Sequence, residues 1–246
     1  MKDKKTLLII GAKSDIAMST GKIFASNNFN LQLAGRGITD LKTYSRDLEI
    51  RYNISVNHFE LSILDYDYFD SFLNMLSPFP DVILIAVGLL GEQKVSENDN
   101  KLASLVFQTN FEGPALLLNK IASKIIHMNN RTILCISSVA GDRGRSSNYI
   151  YGSSKSGLTQ YLAGLRNRLS RYSIPVVTIK PGFITTKMTK DLTSPKLLTA
   201  KPDSVAKIIY KAYLAKSDII YAPYYWRLIM LIIRIIPERI FKKLKL

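Results

Sequence analysis

The chain has 246 residues, enough for one α/β domain with a full core, and carries a formal net charge of +15. One cysteine and two histidines exclude an intrachain disulfide and argue against a structural zinc site; no metal site is expected. The positive surplus calls for an acidic partner: nucleic acid, anionic lipid or a phosphorylated substrate.

The amino terminus, MKDKKTLLIIGAKSD, holds a short apolar run that passes straight into a glycine. Thr6–Ile10 therefore reads as a buried parallel strand and not as a signal peptide. Gly11 permits a tight turn, and Ser14 or Asp15 can cap the next helix, whose free N–H groups make a ready diphosphate site. Asn30–Ala34 is the second strand, with Gly35 and Arg36 at its carboxyl end. A dinucleotide fold tests the adenosine ribose there. An arginine without an acid beside it favours NADP(H), with NAD(H) still open and Lys13 in support. A solvated arginine at a strand end is the plainer reading.

A helix over Asp40–Arg51, a strand over Ser55–Leu61 and a helix from Asp65 follow. Val82–Val87 is the fourth buried strand, and Gly88 after it lets backbone approach a ligand. Lys101–Leu118 has a helical pattern in which Gly113-Pro114 predicts a break or kink. Arg131–Ser137 is the fifth strand and holds Cys135, read as a buried core thiol in a reducing compartment. Ser138 follows it, and Tyr149–Tyr172 is a helix with Tyr151 and Lys155 one turn apart on one face. A phenol has an ordinary pKa of about 10. An ammonium one turn away is expected to lower it, making Tyr151 a better proton donor, with Ser138 placed to bond a substrate oxygen opposite. A Ser-rich turn before an amphipathic helix is the competing reading, since YxxxK alone recurs by chance.

Pro175–Ile179 is the sixth strand, Thr185–Pro202 the best candidate for a mobile lid, Asp203–Ala215 a helix and Asp218–Tyr221 a strand. Unbroken alternation of strand and helix predicts a Rossmann-type doubly wound parallel sheet forming a single α/β domain over residues 1–222. Residues 223–246 are a basic, apolar extension. They carry Trp226 and Leu228–Ile233 beside Arg227, Arg234, Arg239, Lys242, Lys243 and Lys245. Arg234 and Pro237 cut the apolar run short of the ~20 residues a spanning helix needs. The pattern fits an amphipathic, membrane-associating segment at the bilayer interface; packing on the core or on a second subunit is the alternative.

The ordered set Ser138, Tyr151 and Lys155 resembles the short-chain dehydrogenase/reductase family. GAKSDIA (11–17), AVG (86–88), Asn110 in TNFEG and KPGFITTKM (180–188) resemble the family's other motifs, in the family's order. The resemblance implies a ketoreductase with Asn110, Ser138, Tyr151 and Lys155 as catalytic residues. It implies cofactor contacts from Gly11, Lys13, Ser14, Asp15, Ile16, Arg36, Glu60, Leu61, Ala86 and Gly88, and from Tyr151, Lys155, Pro181, Gly182, Ile184 and Thr186. In the family Asn110's counterpart holds a water near the lysine, Glu60's lies near the adenine and Thr186's bonds the nicotinamide amide. Ordinary packing would also explain Asn110, and a strand-end acid Glu60. The chain departs from the family at Asp15 and Ala17, which replace glycines, and at Ala86, which replaces asparagine. Asp15 is expected to restrict backbone approach to phosphate.

AVGLLGEQ (86–93), residues 137–158 and the tail 222–244 further resemble the branch of polyprenyl-phosphoryl 2-keto-pentose reductases, typified by decaprenylphosphoryl-2-keto-ribose 2-reductases. That branch implies reduction at C2 of a polyprenyl-phosphate-linked keto-sugar, completing an epimerisation for cell-surface polysaccharide precursors. It also implies a partner oxidase that makes the ketone and a cytoplasmic, peripheral place at the inner face of the membrane. Family members commonly form homo-oligomers. A reductase of another lipid ketone, such as a 3-oxoacyl thioester, and a non-catalytic dinucleotide-binding scaffold stand as alternatives. A nucleic-acid partner is not expected, because the basic residues are scattered or gathered in the apolar tail.

Overall fold

The computed structural model describes residues 4–189 and 195–244. In chain order, β1 (Thr6–Ile10), α1 (Asp15–Ser26), β2 (Asn30–Gly35), α2 (Lys42–Tyr52), β3 (Val56–Glu60), α3 (Phe69–Met75) and β4 (Val82–Ile85) form the first half. Next come α4 (Gln93–Ser96), α5 (Asn100–Phe107), a π turn (Gln108–Glu112), α6 (Gly113–Ile125), β5 (Thr132–Ile136), α7 (Tyr149–Ser170) and β6 (Val176–Pro181). The chain continues through β7 (Phe183–Ile184), β8 (Thr199–Ala200), α8 (Pro202–Leu214), β9 (Ile219–Ala222), α9 (Trp226–Ile235) and α10 (Glu238–Phe241).

Seven parallel strands lie in the order β3-β2-β1-β4-β5-β6-β9. This is the expected doubly wound sheet. Side chains alternate across each strand. Leu7 and Ile9 join a core with Phe24, Leu48 and Val205, while Leu8 and Ile10 join another with Phe72, Leu118 and Leu162. Both faces are thus covered by helices, as a parallel sheet requires. The order reverses between β1 and β4, so a crevice opens at their carboxyl ends.

One expectation changes. Gly113-Pro114 does not break the helix: helical conformation runs from α5 to α6 through the π turn, with Pro114 in the first turn of α6, where a missing N–H costs little. The tail, expected at a bilayer interface or packed on protein, packs on the domain by one face and leaves the other exposed. Trp226 (2% exposed) and Met230 dock against Val139, whereas Leu228 (62%), Leu231, Ile232 and Ile235 (69%) face outward. Arg143 fixes this docking. Its guanidinium donates to the carbonyls of Ile233 and Ile236 at the end of α9, pairs with Glu238 at 2.8 Å and lies 3.7 Å over the Phe241 ring. Among the described residues no helix is long and apolar enough to cross a membrane. Of the expected lid, residues 190–194 lie outside the described residues; its base is pinned by the pairing of Phe183 with Thr199 and Ile184 with Ala200.

Candidate active site

A cleft of about 890 Å³ lies at the strand ends where the sheet order reverses. Gly11, Lys13, Ser14, Asp15, Ile16, Arg36, Leu61, Ala86, Gly88, Ser138, Tyr151, Lys155, Pro181, Gly182, Ile184 and Thr186 all line it. Residues scattered over most of the chain therefore meet on one surface: most fall at or just beyond a strand's carboxyl end, and Tyr151 and Lys155 come from α7, which packs beside those ends. Gly11 has φ +83°, and a Cβ there would come within 2.8 Å of the Ala86 backbone. Only glycine fits this turn, where the α1 amino terminus meets β4. At Gly88, by contrast, a Cβ would make only ordinary contacts, 3.4 Å from Asn110 Oδ1, 3.5 Å from Met188 Cε and 3.7 Å from Lys155 Nζ. Bare backbone at Gly11 and Gly88, a free helix amino terminus and Arg36 on the rim fit a dinucleotide along this cleft.

Tyr151 and Lys155 lie one turn apart on α7, and Ser138 reaches in from the loop after β5. Ser138 lies close enough to the Tyr151 phenol for its hydroxyl to favour the phenolate. Its own Oγ is oriented by accepting from Ala140 N at 3.1 Å. Lys155 is buried and its Nζ donates to the carbonyls of Val87 and Ile136, each at 3.3 Å. Both pKa values move away from neutral charge pairing. Burial raises Tyr151 to about 12, with Ser138's hydroxyl pulling the other way. Burial lowers Lys155 to about 8. The expectation that the ammonium depresses the phenol's pKa is thus corrected. Lys155 Nζ sits 5.9 Å from the Tyr151 ring centre, held by the two carbonyls, and desolvation of the phenolate outweighs its attraction. At neutral pH the site holds a neutral phenol beside an ammonium, which is the state an acid needs. Cys135 is fully buried with its thiol pushed up to about 12, the inert core group expected.

Two expected site residues do not face the cleft. Asn110 is buried in the π turn, and its amide is spent on backbone: Nδ2 donates to Leu89 O and Val106 O, and Oδ1 accepts from Leu89 N. It shapes the segment after Gly88 from behind. Glu60 accepts from Gly37 N at 2.7 Å and Ile38 N at 3.2 Å, bracing the turn that carries Arg36. The β2–β3 register, which pairs Gly35 with Glu60, puts the carboxylate beside that turn. Lys13 lies at the rim with its ammonium paired to Asp40. Thr186 Oγ1 is 3.0 Å from Thr189 Oγ1.

Asp15 has a role not foreseen. Its carboxylate accepts from Lys187 N at 2.7 Å, latching the loop after β7 to the glycine turn. Behind the site, Lys180 and Asp142 form a buried ion pair, and Tyr221 donates to the second Asp142 oxygen at 2.7 Å. This cluster ties the loop after Ser138 to β6 and β9. Lys180 and Asp142 fall inside the segments 180–188 and 137–158, but nothing local in either segment pairs one with the other.

Residues 5–197 match the profile of the family described as short chain dehydrogenase. An uncharacterized oxidoreductase of Mycobacterium tuberculosis is 29% identical over 161 residues, 65% of this chain and 64% of that protein. The matched region thus spans less than two thirds of that relative's length. An NADP-dependent 3-hydroxy acid dehydrogenase of Schizosaccharomyces pombe is 26% identical over 89% of this chain and 91% of its own. A short-chain dehydrogenase from Sphingobium yanoikuyae, solved with NADPH, matches with a TM-score of 0.83 at 18% identity, covering 95% of this chain and 97% of that one. At that identity the likeness is one of fold.

Proposed function

We propose that this chain, which belongs to the short chain dehydrogenase family, is an NAD(P)H-dependent ketoreductase acting on a lipid-linked ketone. The observation that carries the reaction is the meeting of Ser138, Tyr151 and Lys155 on the wall of one glycine-floored cleft. NAD(P)H, when bound, supplies hydride to a carbonyl carbon. A carbonyl oxygen entering between Ser138 and Tyr151 accepts from both hydroxyls. The Tyr151 proton passes to that oxygen as negative charge develops on it, giving the alcohol. Lys155 holds positive charge next to this transfer and offers its ammonium to the ribose hydroxyls of the cofactor. Arg36, with Glu60 committed to its own turn, leaves the adenosine end cationic, which supports NADP(H) over NAD(H). The NADP-dependent relative from Schizosaccharomyces pombe points the same way.

The pH dependence follows from the two shifts. Reduction needs the phenol neutral and the lysine charged. Tyr151, near 12, keeps its proton throughout, whereas Lys155 loses its charge as pH rises through about 8. Turnover per free enzyme, kcat/KM, is expected to be level below that point and to fall above it. A profile that climbs from pH 8 to 9 would contradict the assignment.

For the substrate we propose a polyprenyl-phosphoryl 2-keto-pentofuranose reduced at C2, made by a partner oxidase. Support comes from the segments 86–93, 137–158 and 222–244 that resemble such reductases, and from the tail's surface. The outward face of α9 is apolar and flanked by Arg227, Arg234, Arg239, Lys242 and Lys243, the pattern of a helix lying in an anionic bilayer interface. We place the protein peripherally at the inner face of the membrane. Two measurements test this. In detergent micelles, the 2-keto-ribose lipid should be reduced faster than an acetoacetyl thioester, and NADPH should be oxidised faster than NADH; turnover of the thioester alone would defeat the keto-sugar reading. In flotation with phosphatidylglycerol vesicles, the wild type should float, and the double substitution L231D/I235D should stay with the soluble fraction. Equal flotation of both would remove the tail from membrane binding.

A further inference from the structure

Ser138 opens a short turn, Val139–Gly141, that ends at Asp142. Its Oγ accepts from Ala140 N at 3.1 Å, Gly141 N donates to Ser138 O, and Asp142 N donates to Val139 O. Residues 138–142 therefore move as one unit, with a cleft residue at one end and a buried carboxylate at the other. Against α7 this unit is seated by close packing: a Cβ at Gly141 would fall 2.7 Å from Ser156 N and 2.8 Å from the Lys155 carbonyl carbon. At its far end Asp142 ties it to the sheet. One carboxylate oxygen takes the Lys180 ammonium and the other the Tyr221 hydroxyl, the latter at 2.7 Å. These two donors are register partners on β6 and β9. Pro181 and Gly182, which follow Lys180, line the cleft. A buried ion pair adds little stability over an apolar pair of the same volume. What it adds is direction, because a carboxylate with both oxygens committed has one place to sit.

We propose that Asp142 is a positioning residue for the reduction: its bonds to Lys180 and Tyr221 fix where the turn presents the Ser138 hydroxyl relative to Tyr151 on α7 and to Pro181 and Gly182. A carbonyl oxygen can accept from Ser138 and Tyr151 together only while that spacing holds. An error of about 1 Å in such a geometry costs on the order of 100-fold in rate. The inference rests on the ketoreductase reading above for the reaction, and on these contacts for the geometry.

Lys180→Met tests it. The substitution keeps the stem of the side chain and removes the ammonium. Asp142 keeps the Tyr221 hydroxyl and the nearby charge of Arg145, so the carboxylate is not stranded. Single-turnover reduction by NADPH would be followed in wild type, K180M, S138A and the double variant, beside a thermal melt and an NADPH titration of each. The ketone is the 2-keto-ribose lipid, or the acetoacetyl thioester where that alone turns over. K180M is expected to lose about tenfold or more in rate, with NADPH affinity at the wild-type value. Ser138→Ala should cost about 10²-fold in the wild-type background, as loss of one donor to a developing oxyanion does. In the K180M background it should cost less than about tenfold, because the two residues act through one geometry. A defect of folding alone would lower the rate and leave the cost of S138A unchanged. Y221F, which removes one hydroxyl and leaves the ion pair, carries the same comparison if K180M does not fold. Wild-type rates in either folded variant, or an equal cost of S138A in both backgrounds, would overturn the role of Asp142. An S138A chain as fast as wild type would instead defeat the reading of the reaction above, and the role of Asp142 with it.

Discussion

Tyr151→Phe should lower kcat for ketone reduction by about 10²–10⁴-fold, the usual worth of a positioned general acid, and leave dinucleotide affinity at the wild-type value. The substitution removes one oxygen and keeps the ring. Lys155 stays fixed, because its anchors are the carbonyls of Val87 and Ile136 rather than the phenol. Gly11 and Gly88 also remain as they are, so the cleft keeps its floor. What is lost is the proton nearest the developing oxyanion, and with it the phenol oxygen beside Ser138. Single-turnover hydride transfer, measured beside a fluorescence titration with NADPH, separates the two effects. Wild-type turnover in the variant would mean that another group is the acid. Weakened NADPH binding with an unchanged rate of hydride transfer would make Tyr151 a binding residue instead.

Most of the sheet was readable because buried parallel strands are continuous apolar runs, and Thr6–Ile10, Val82–Ile85 and Thr132–Ile136 are such runs. The cleft was readable for a related reason. A doubly wound fold gathers strand ends, so motifs spaced along the chain predict one another's position. What escaped were contacts with no local signature. Asp15 reaches Lys187 N across 172 residues, and Arg143 caps α9 from about ninety residues away. The Asn110 amide bonds the Leu89 backbone across 21 residues, and at the π turn it also takes up the Val106 carbonyl. The pKa expectation failed for a physical reason too: charge proximity is legible in sequence spacing, whereas desolvation depends on what the other elements cover.

Gly182→Ala should undock the tail. A Cβ at Gly182 would fall 1.9 Å from Trp226 Nε1 and 2.0 Å from Cε2, inside the indole ring. The indole cannot move aside, being 2% exposed and held edge-on by Phe183 at 5.3 Å, with Val139 and Met230 in the same cluster. The protein must therefore shift the 181–183 backbone, which lines the cleft, or expel Trp226. Expulsion forfeits packing worth about 3–5 kcal/mol, the usual cost of truncating a buried large aromatic. For a domain of this size each kcal/mol lowers Tm by about 2–4 °C. The lone tryptophan's emission should shift to the red in the variant, and reduction should slow because Pro181 and Gly182 lose their place in the cleft wall. Trp226→Ala separates these causes. On that background the added methyl meets no ring, so Gly182→Ala should cost little, and the two substitutions should be strongly non-additive. Additive losses would show that Gly182 is needed for a reason other than the indole, and that the tail's docking does not depend on this contact.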